Sequence, residues 1–137
     1  MSSRLGSGSV RLLLDTHALL WWLAGERRLS PRAKKAIANS DNEVYVSAAS
    51  AWEIATKYRL GKLPGARVIV DDIAGAIASQ AFLSLAVSVV HAQRAGSLAG
   101  SHRDPFDRML IAQAQAEGLT LVSNEELFDN LGAARLW

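Results

Sequence analysis

Residues 11–24 read Arg11-Leu-Leu-Leu14-Asp15-Thr16-His17-Ala18-Leu-Leu-Trp21-Trp22-Leu-Ala24, and this stretch decides the fold. Three consecutive leucines without polar alternation suit a strand buried on both faces, as in a parallel sheet. Asp15 stops that run, and residues 16–24 continue with helix formers up to Gly25. A strand that passes directly into a helix through an aspartate is half of a β–α–β unit. It also puts a carboxylate at the carboxyl end of a strand.

The same punctuation recurs along the chain. Ser30-Pro31 is a helix start, with serine as N-cap and proline in the first turn, and that helix runs to about residue 39. Ser40-Asp41-Asn42 is a turn, and Val44-Tyr45-Val46 a strand. Residues 47–60 read as a helix stopped by Gly61. Leu63-Pro64-Gly65 reads as a loop, residues 68–81 as a helix and residues 82–87 as a short strand. Ser88 caps a helix to residue 98, and residues 99–103 form a loop. Asp104-Pro105 opens a helix that Gly118 ends. Strands at 119–122 and 134–137 flank a short helix at 124–128. Short, mostly apolar strands alternating with helices predict an α/β domain in three layers, with a central parallel sheet. Residues 11–137 are expected to form this one domain, behind a polar, Gly/Ser-rich tail at residues 1–10.

Composition narrows the chemistry. The 137 residues are 50% hydrophobic and 20% charged, enough to bury a core and too apolar for disorder. There is no cysteine, which excludes disulfides, thiolate zinc sites and cysteine nucleophiles, and suits a cytoplasmic location. The longest apolar stretches fall far short of the roughly 20 residues of a membrane span, and no apolar leader segment is visible. The net charge of +2, from 15 basic and 13 acidic residues, gives no general bias toward polyanions. Positive charge must be locally concentrated if nucleic acid is bound. Arg27, Arg28, Arg32, Lys34 and Lys35 form one such group, and Lys57, Arg59, Lys62 and Arg67 a second.

The acids are the informative residues. Asp15, Asp107 and Glu125 all fall just past strand ends or in first helical turns, and Glu53 lies early in a helix after another strand. Each has a bland reading: Asp15 as an N-cap, Glu53 in a Ser50-Ala-Trp-Glu53 capping box, Asp104 and Asp107 as favourable charges at a helix N-terminus, Glu125 and Glu126 as first-turn acids. In a parallel sheet, however, these ends lie along one edge, where ligands bind. Carboxylates gathered there repel one another unless a cation or shared protons compensate. Oxygen-only ligation suits Mg²⁺ or Mn²⁺, and a carboxylate-held ion that keeps its waters can orient a phosphodiester and activate water.

The run Leu13-Leu-Asp15-Thr-His-Ala-Leu-Leu-Trp-Trp22, the stretch Val46-Ser-Ala-Ala-Ser-Ala-Trp-Glu53-Ile, and Lys57 with Leu60-Gly-Lys-Leu63 resemble PIN-domain proteins of the VapC toxin type. So do His102-Arg-Asp-Pro-Phe-Asp107-Arg-Met-Leu-Ile-Ala-Gln113, Leu119-Thr-Leu-Val-Ser123 and the closing Leu136-Trp137. The resemblance spans about residues 11 to 137, with the motifs in family order. It implies a three-layer α/β/α fold and a Mg²⁺- or Mn²⁺-dependent endoribonuclease. It also implies an antitoxin partner and a homodimer. Carried over, Asp15, Glu53 and Asp107 match the first three family acids, as catalytic and metal-holding residues. Glu125 stands where the family usually has aspartate. Besides direct ligation, its longer side chain leaves open action through water, or a share for Asn124. Asp104 is an extra acid, cap first and accessory second, and Ser123 hydrogen-bonds or caps beside the carboxylates.

Two other readings stand beside the nuclease. The substituted fourth acid admits a catalytically weakened PIN-like module that binds RNA or protein. A phosphoacceptor receiver domain ranks last, because Val44-Tyr45-Val46 is followed by Ser47 and not by aspartate. Among the histidines, His17 is expected to point away from the acids, His91 to lie on the surface or an interface, and His102 to sit near Asp104 within reach of RNA. Trp52 and Ile54 are expected in the core. One of the adjacent Trp21 and Trp22 is expected to be exposed, as an antitoxin or dimer contact.

Overall fold

The computed structural model describes residues 9–100 and 104–137. The proposed N-terminal tail therefore falls mostly, and His102 entirely, outside the described residues.

Among the described residues five strands form one all-parallel sheet in the order β3-β2-β1-β4-β5. They are β1 (Arg11–Leu14), β2 (Glu43–Ser47), β3 (Leu83–Leu85), β4 (Thr120–Val122) and β5 (Arg135–Leu136). The helices are α1 (Thr16–Ala24), α2 (Pro31–Ala38), α3 (Ala48–Arg59), α4 (Ile73–Ser79), α5 (Val89–Ser97) and α6 (Pro105–Glu117). Leu13 aligns with Tyr45 on one side and Leu121 on the other, so β1 is the centre of the sheet.

The leucine run separates two cores. Leu12 and Leu14 pack with Leu19, Ile37, Ile54 and Ile77, under α1 to α4. Leu13 points the opposite way and packs with Leu110, Ile111, Leu121 and Phe128, under α6. Alternate residues of a strand face opposite sides of its sheet, so a run buried throughout demands helices on both. The three-layer α/β/α expectation therefore holds.

Local chemistry sets the element ends. Asp15, Ser30 and Asp104 accept hydrogen bonds from first-turn N–H groups of α1, α2 and α6. Gly25 and Gly118 end α1 and α6 in the left-handed conformation that glycine adopts without a Cβ clash. Four expectations are corrected. The helix expected over 68–81 is confined to Ile73–Ser79, with Asp72 as its cap, and Pro64–Val68 is a short 3-10 helix and not an open loop. The helix expected at 124–128 is a 3-10 helix at Glu126–Leu131, capped by Glu125. Ser47, not Ser50, is the N-cap of α3, its hydroxyl accepting from Ala49 N–H, so the Ser50–Glu53 capping box does not exist. Ser50 and Glu53 instead lie inside α3 and are buried. Among the described residues no helix is long and apolar enough to cross a membrane.

Sheet order locates the working edge. From β1 the chain steps outward through β2 and β3, then returns to place β4 on the other side of β1. The order therefore reverses between β1 and β4, and a crevice opens there beyond the strands' carboxyl ends. Asp15 follows β1 and Ser123 follows β4, facing each other at this switch point.

Candidate metal centre

A small cavity of about 120 Å³ fills the crevice. Asp15, Glu53, Asp104, Asp107, Asn124 and Glu125 line it, with Thr16, His17, Lys57 and Phe128. Four elements of different sequence position thus bring the four motif acids and the accessory Asp104 around one space.

Asp15 enters from the β1–α1 junction and is buried. Its Oδ1 accepts from Ala18 N–H at 2.7 Å, and the Ser123 hydroxyl also donates to the carboxylate. Burial pushes its pKa above the usual aspartate value. The hydrogen bonds from Ser123 and Ala18 and the nearby His17 oppose that rise without cancelling it, and Glu53 adds to it. Ser123 is itself fully buried and accepts from Glu125 N–H at 3.0 Å. One hydroxyl therefore couples Asp15 to the backbone that carries Glu125.

Glu53 is 3% exposed, an unusual position for a carboxylate. Its Oε1 accepts from Thr16 Oγ1 at 2.6 Å, and its Oε2 is in contact with Lys57 Nζ one helical turn along. The Lys57 ammonium also lies 3.8 Å from Asp104 Oδ2. Partial burial works against its charge. The hydrogen bond it donates to Glu53 and the charges of Glu53, Asp104 and Asp107 outweigh this and hold its pKa above the ordinary lysine value.

Asp104 caps α6, its Oδ1 accepting from Phe106 N–H and Asp107 N–H at 2.9 and 3.1 Å. Asp107 sits in the first turn of that helix, where the partial positive charge of the N-terminus favours an anion. Glu125 Oε1 accepts from Leu127 N–H at 3.2 Å, which makes it the cap of the 3-10 helix as well as a cavity residue. Arg135 holds this segment in place. Its guanidinium grips Asp129 through two hydrogen bonds and donates to Ser123 O.

The donor set suits a hard divalent cation: carboxylate and hydroxyl oxygens, without sulfur, around a space the size of a few waters. As they stand, no three His, Asp or Glu among the described residues form a metal-holding group. Glu53 is engaged by Thr16 and Lys57, and Asp104 by the α6 backbone and Lys57.

Several neighbouring expectations change. Lys57, grouped by sequence with Arg59, Lys62 and Arg67, belongs to the acidic cavity. Thr16 was legible only as part of a motif; its hydroxyl is a direct partner of Glu53. His17 lines the cavity rim, contrary to its expected direction, and its ring leans on Trp21 at 5.5 Å between centroids. His91 is buried, not on the surface. Its Nδ1 accepts from Ser88 N–H, which leaves the proton on Nε2, 2.8 Å from Glu117 Oε2. Trp21 and Trp22 are both half-buried: Trp21 packs edge-on against Trp137, while Trp22 packs on Phe82 and donates to Gln80. The exposed tryptophan is Trp52, at 67%, in an edge-to-face contact with Phe106. Helix geometry explains the exchange: Glu53 and Ile54 take the inward face of α3, which turns Trp52 outward.

A parallel α/β sheet with carboxylates converging at its switch point defines an α/β domain with an acidic cavity beyond its strand ends. The PIN domain family model matches residues 12–134, and the chain belongs to that family. A comparison with curated protein sequences finds no match. Among solved structures the chain is similar to VapBC2 from Rickettsia felis bound to a promoter DNA fragment. The TM-score is 0.64 at 14% identity, covering 93% of this chain and 98% of that one. It is similar to a toxin–antitoxin complex from Klebsiella pneumoniae, with a TM-score of 0.60 at 20% identity over 92% and 96%. It is also similar to VapC20 of Mycobacterium tuberculosis, a toxin that cleaves the sarcin–ricin loop. Here the TM-score is 0.57 at 16% identity over 89% and 95%.

Proposed function

We propose that the protein is a Mg²⁺- or Mn²⁺-dependent endoribonuclease, the VapC-type toxin of a toxin–antitoxin pair. One observation carries the reading: Asp15, Glu53, Asp107 and Glu125 converge on one cavity at the switch point of a PIN domain. Asp15, Glu53 and Asp107 would hold the cation, with Glu125 completing the set. Asp104 and Ser123 would orient their neighbours, and Asn124 would share the Glu125 side of the cavity. The bound cation supplies positive charge for the scissile phosphate and lowers the pKa of a water for hydrolysis. The protein's own contribution is to keep several carboxylates close and partly dehydrated, where they attract a cation strongly. Exposed Arg27, Arg28, Arg32 and Lys35, with Arg59, Lys62 and Arg67 on the second group, supply positive charge for an RNA backbone. The similar structures that are toxin–antitoxin complexes support an antitoxin partner. A homodimer and action on cytoplasmic RNA complete the reading.

The test is cleavage of end-labelled single-stranded RNA by the purified chain with Mg²⁺, Mn²⁺ or a chelator, alongside Asp107→Asn. Divalent-dependent shortening that Asp107→Asn lowers at least a hundredfold is the expected result. RNA that is bound but never shortened would favour the non-catalytic module. Cleavage that survives both chelation and Asp107→Asn would refute the metal assignment.

A further inference from the structure

The acidic cavity already contains a cation of its own. Lys57 stands four residues after Glu53 on α3, its ammonium against Glu53 Oε2 and 3.8 Å from Asp104 Oδ2. The other Glu53 oxygen accepts from Thr16, so both oxygens of this buried carboxylate are occupied. Asp104 Oδ1 is held by the first-turn N–H groups of α6. Five acids therefore line one cavity while no three described metal-ligating side chains are grouped for an ion. An ammonium beside a divalent ion on the same carboxylate would meet strong repulsion in a partly dehydrated site. The lysine has a way out. Its side chain is 29% exposed, its stem is flexible, and its ammonium lies over the Phe106 ring at 5.7 Å, a second site that stabilises its charge.

We propose that Lys57 is an internal counter-ion that exchanges with the divalent cation. In the cation-free protein its ammonium holds Glu53 and Asp104 together against their mutual repulsion. When the cation enters, Lys57 withdraws toward solvent and releases Glu53 Oε2 as a ligand. Lys57 is thus a positioning residue that sets cation affinity, and the inference rests on the metal reading of the cavity.

The test uses the full chain with the ions alone. Labelling by an amine-acylating reagent is followed residue by residue in mass spectra, with and without Mg²⁺ at a concentration that displaces bound Mn²⁺. Lys35, which does not line the cavity, serves as the internal standard. Mg²⁺ is expected to raise Lys57 labelling severalfold relative to Lys35; unchanged or reduced labelling overturns the exchange. Mn²⁺ binding by electron paramagnetic resonance is compared in the parent and Lys57→Met. Removing the competing charge is expected to tighten binding by on the order of tenfold or more, and equal or weaker binding overturns the proposal. If Lys57→Met does not fold, the labelling of the parent decides alone. If the parent binds no Mn²⁺, the metal reading itself fails and the exchange with it, whereas Mn²⁺ binding without a labelling change removes only the exchange.

Discussion

Replacing Asp15 by asparagine separates what this side chain does for the fold from what it does for a cation. In the fold it is an N-cap: Oδ1 accepts from Ala18 N–H at 2.7 Å, and Ser123 donates to the same carboxylate. Asparagine caps helices about as well as aspartate, so the cap is retained and the charge is lost. Burial raises the Asp15 pKa, so the native state binds this proton more tightly than the unfolded chain does. Stability contributed by the group therefore falls as pH rises from the unfolded aspartate range through the folded pKa. Asp15→Asn escapes that loss. Above this window, in cation-free buffer, it should melt at the parent's temperature or a few degrees higher, since about 1 kcal/mol moves a domain of this size by roughly 3–5 °C. Asp15→Ala should be less stable than Asp15→Asn by about 1–3 kcal/mol, because it removes the cap and leaves the buried Ser123 hydroxyl short of a partner. Thermal melts by circular dichroism, with and without Mn²⁺, supply both readouts. At a hundredfold excess over its dissociation constant, a ligand of the native state adds about 2.7 kcal/mol. The parent should show a Mn²⁺-dependent rise that Asp15→Asn largely loses. An asparagine variant that melts well below the parent at neutral pH without cation would refute the burial argument. Equal Mn²⁺ shifts in both proteins would remove Asp15 from the ligand set.

Two further predictions concern the frame around the cavity. Gln113 is fully buried on α6. It accepts from the Ser47 hydroxyl at 2.6 Å, donates to Ala86 O at 3.2 Å and lies 3.3 Å from His91 Nδ1, tying α6 to the end of β2 and the start of α5. Gln113→Ala should cost about 2–4 kcal/mol through the void and the orphaned partners; urea unfolding within about 0.5 kcal/mol of the parent would show that water replaces the amide at no loss. The Arg135 guanidinium depresses the pKa of the exposed Asp129, so that pair stabilises the fold above the unfolded aspartate pKa and ceases to do so as pH falls through the depressed value. The melting difference between the parent and Asp129→Asn should therefore be small at neutral pH and vanish in strong acid; a difference that grows on acidification would contradict the assignment.

Legibility from the sequence followed the range of the forces involved. Strand β1, helices α1, α2, α5 and α6, and their caps at Asp15, Ser30, Ser88 and Asp104 were readable because apolar runs and capping act over a few residues. The 68–81 segment was not. Its alanine-rich composition favours a helix throughout, but Val68 lies in a 3-10 helix and Asp72 accepts from Gly75 N–H, starting α4 late. Glu53 shows the same limit within a motif. Ser50 and Glu53 have capping-box spacing, yet Ser47 begins the helix one turn earlier and both residues turn inward toward Thr16.

By itself the sequence determined the layers and the order of the acids. A leucine run with no polar alternation must be covered on both faces, and an aspartate that interrupts it must stand at a strand's end. Which charges meet was decided only in three dimensions. Lys57 reads as one member of a surface cluster, His91 as a surface or interface residue and Trp52 as core. Each assignment reverses when helix rotation and packing from distant elements are in place. Composition counts charges along the chain, whereas the energy of a charge depends on its burial and on the partners that other elements bring within a few ångströms.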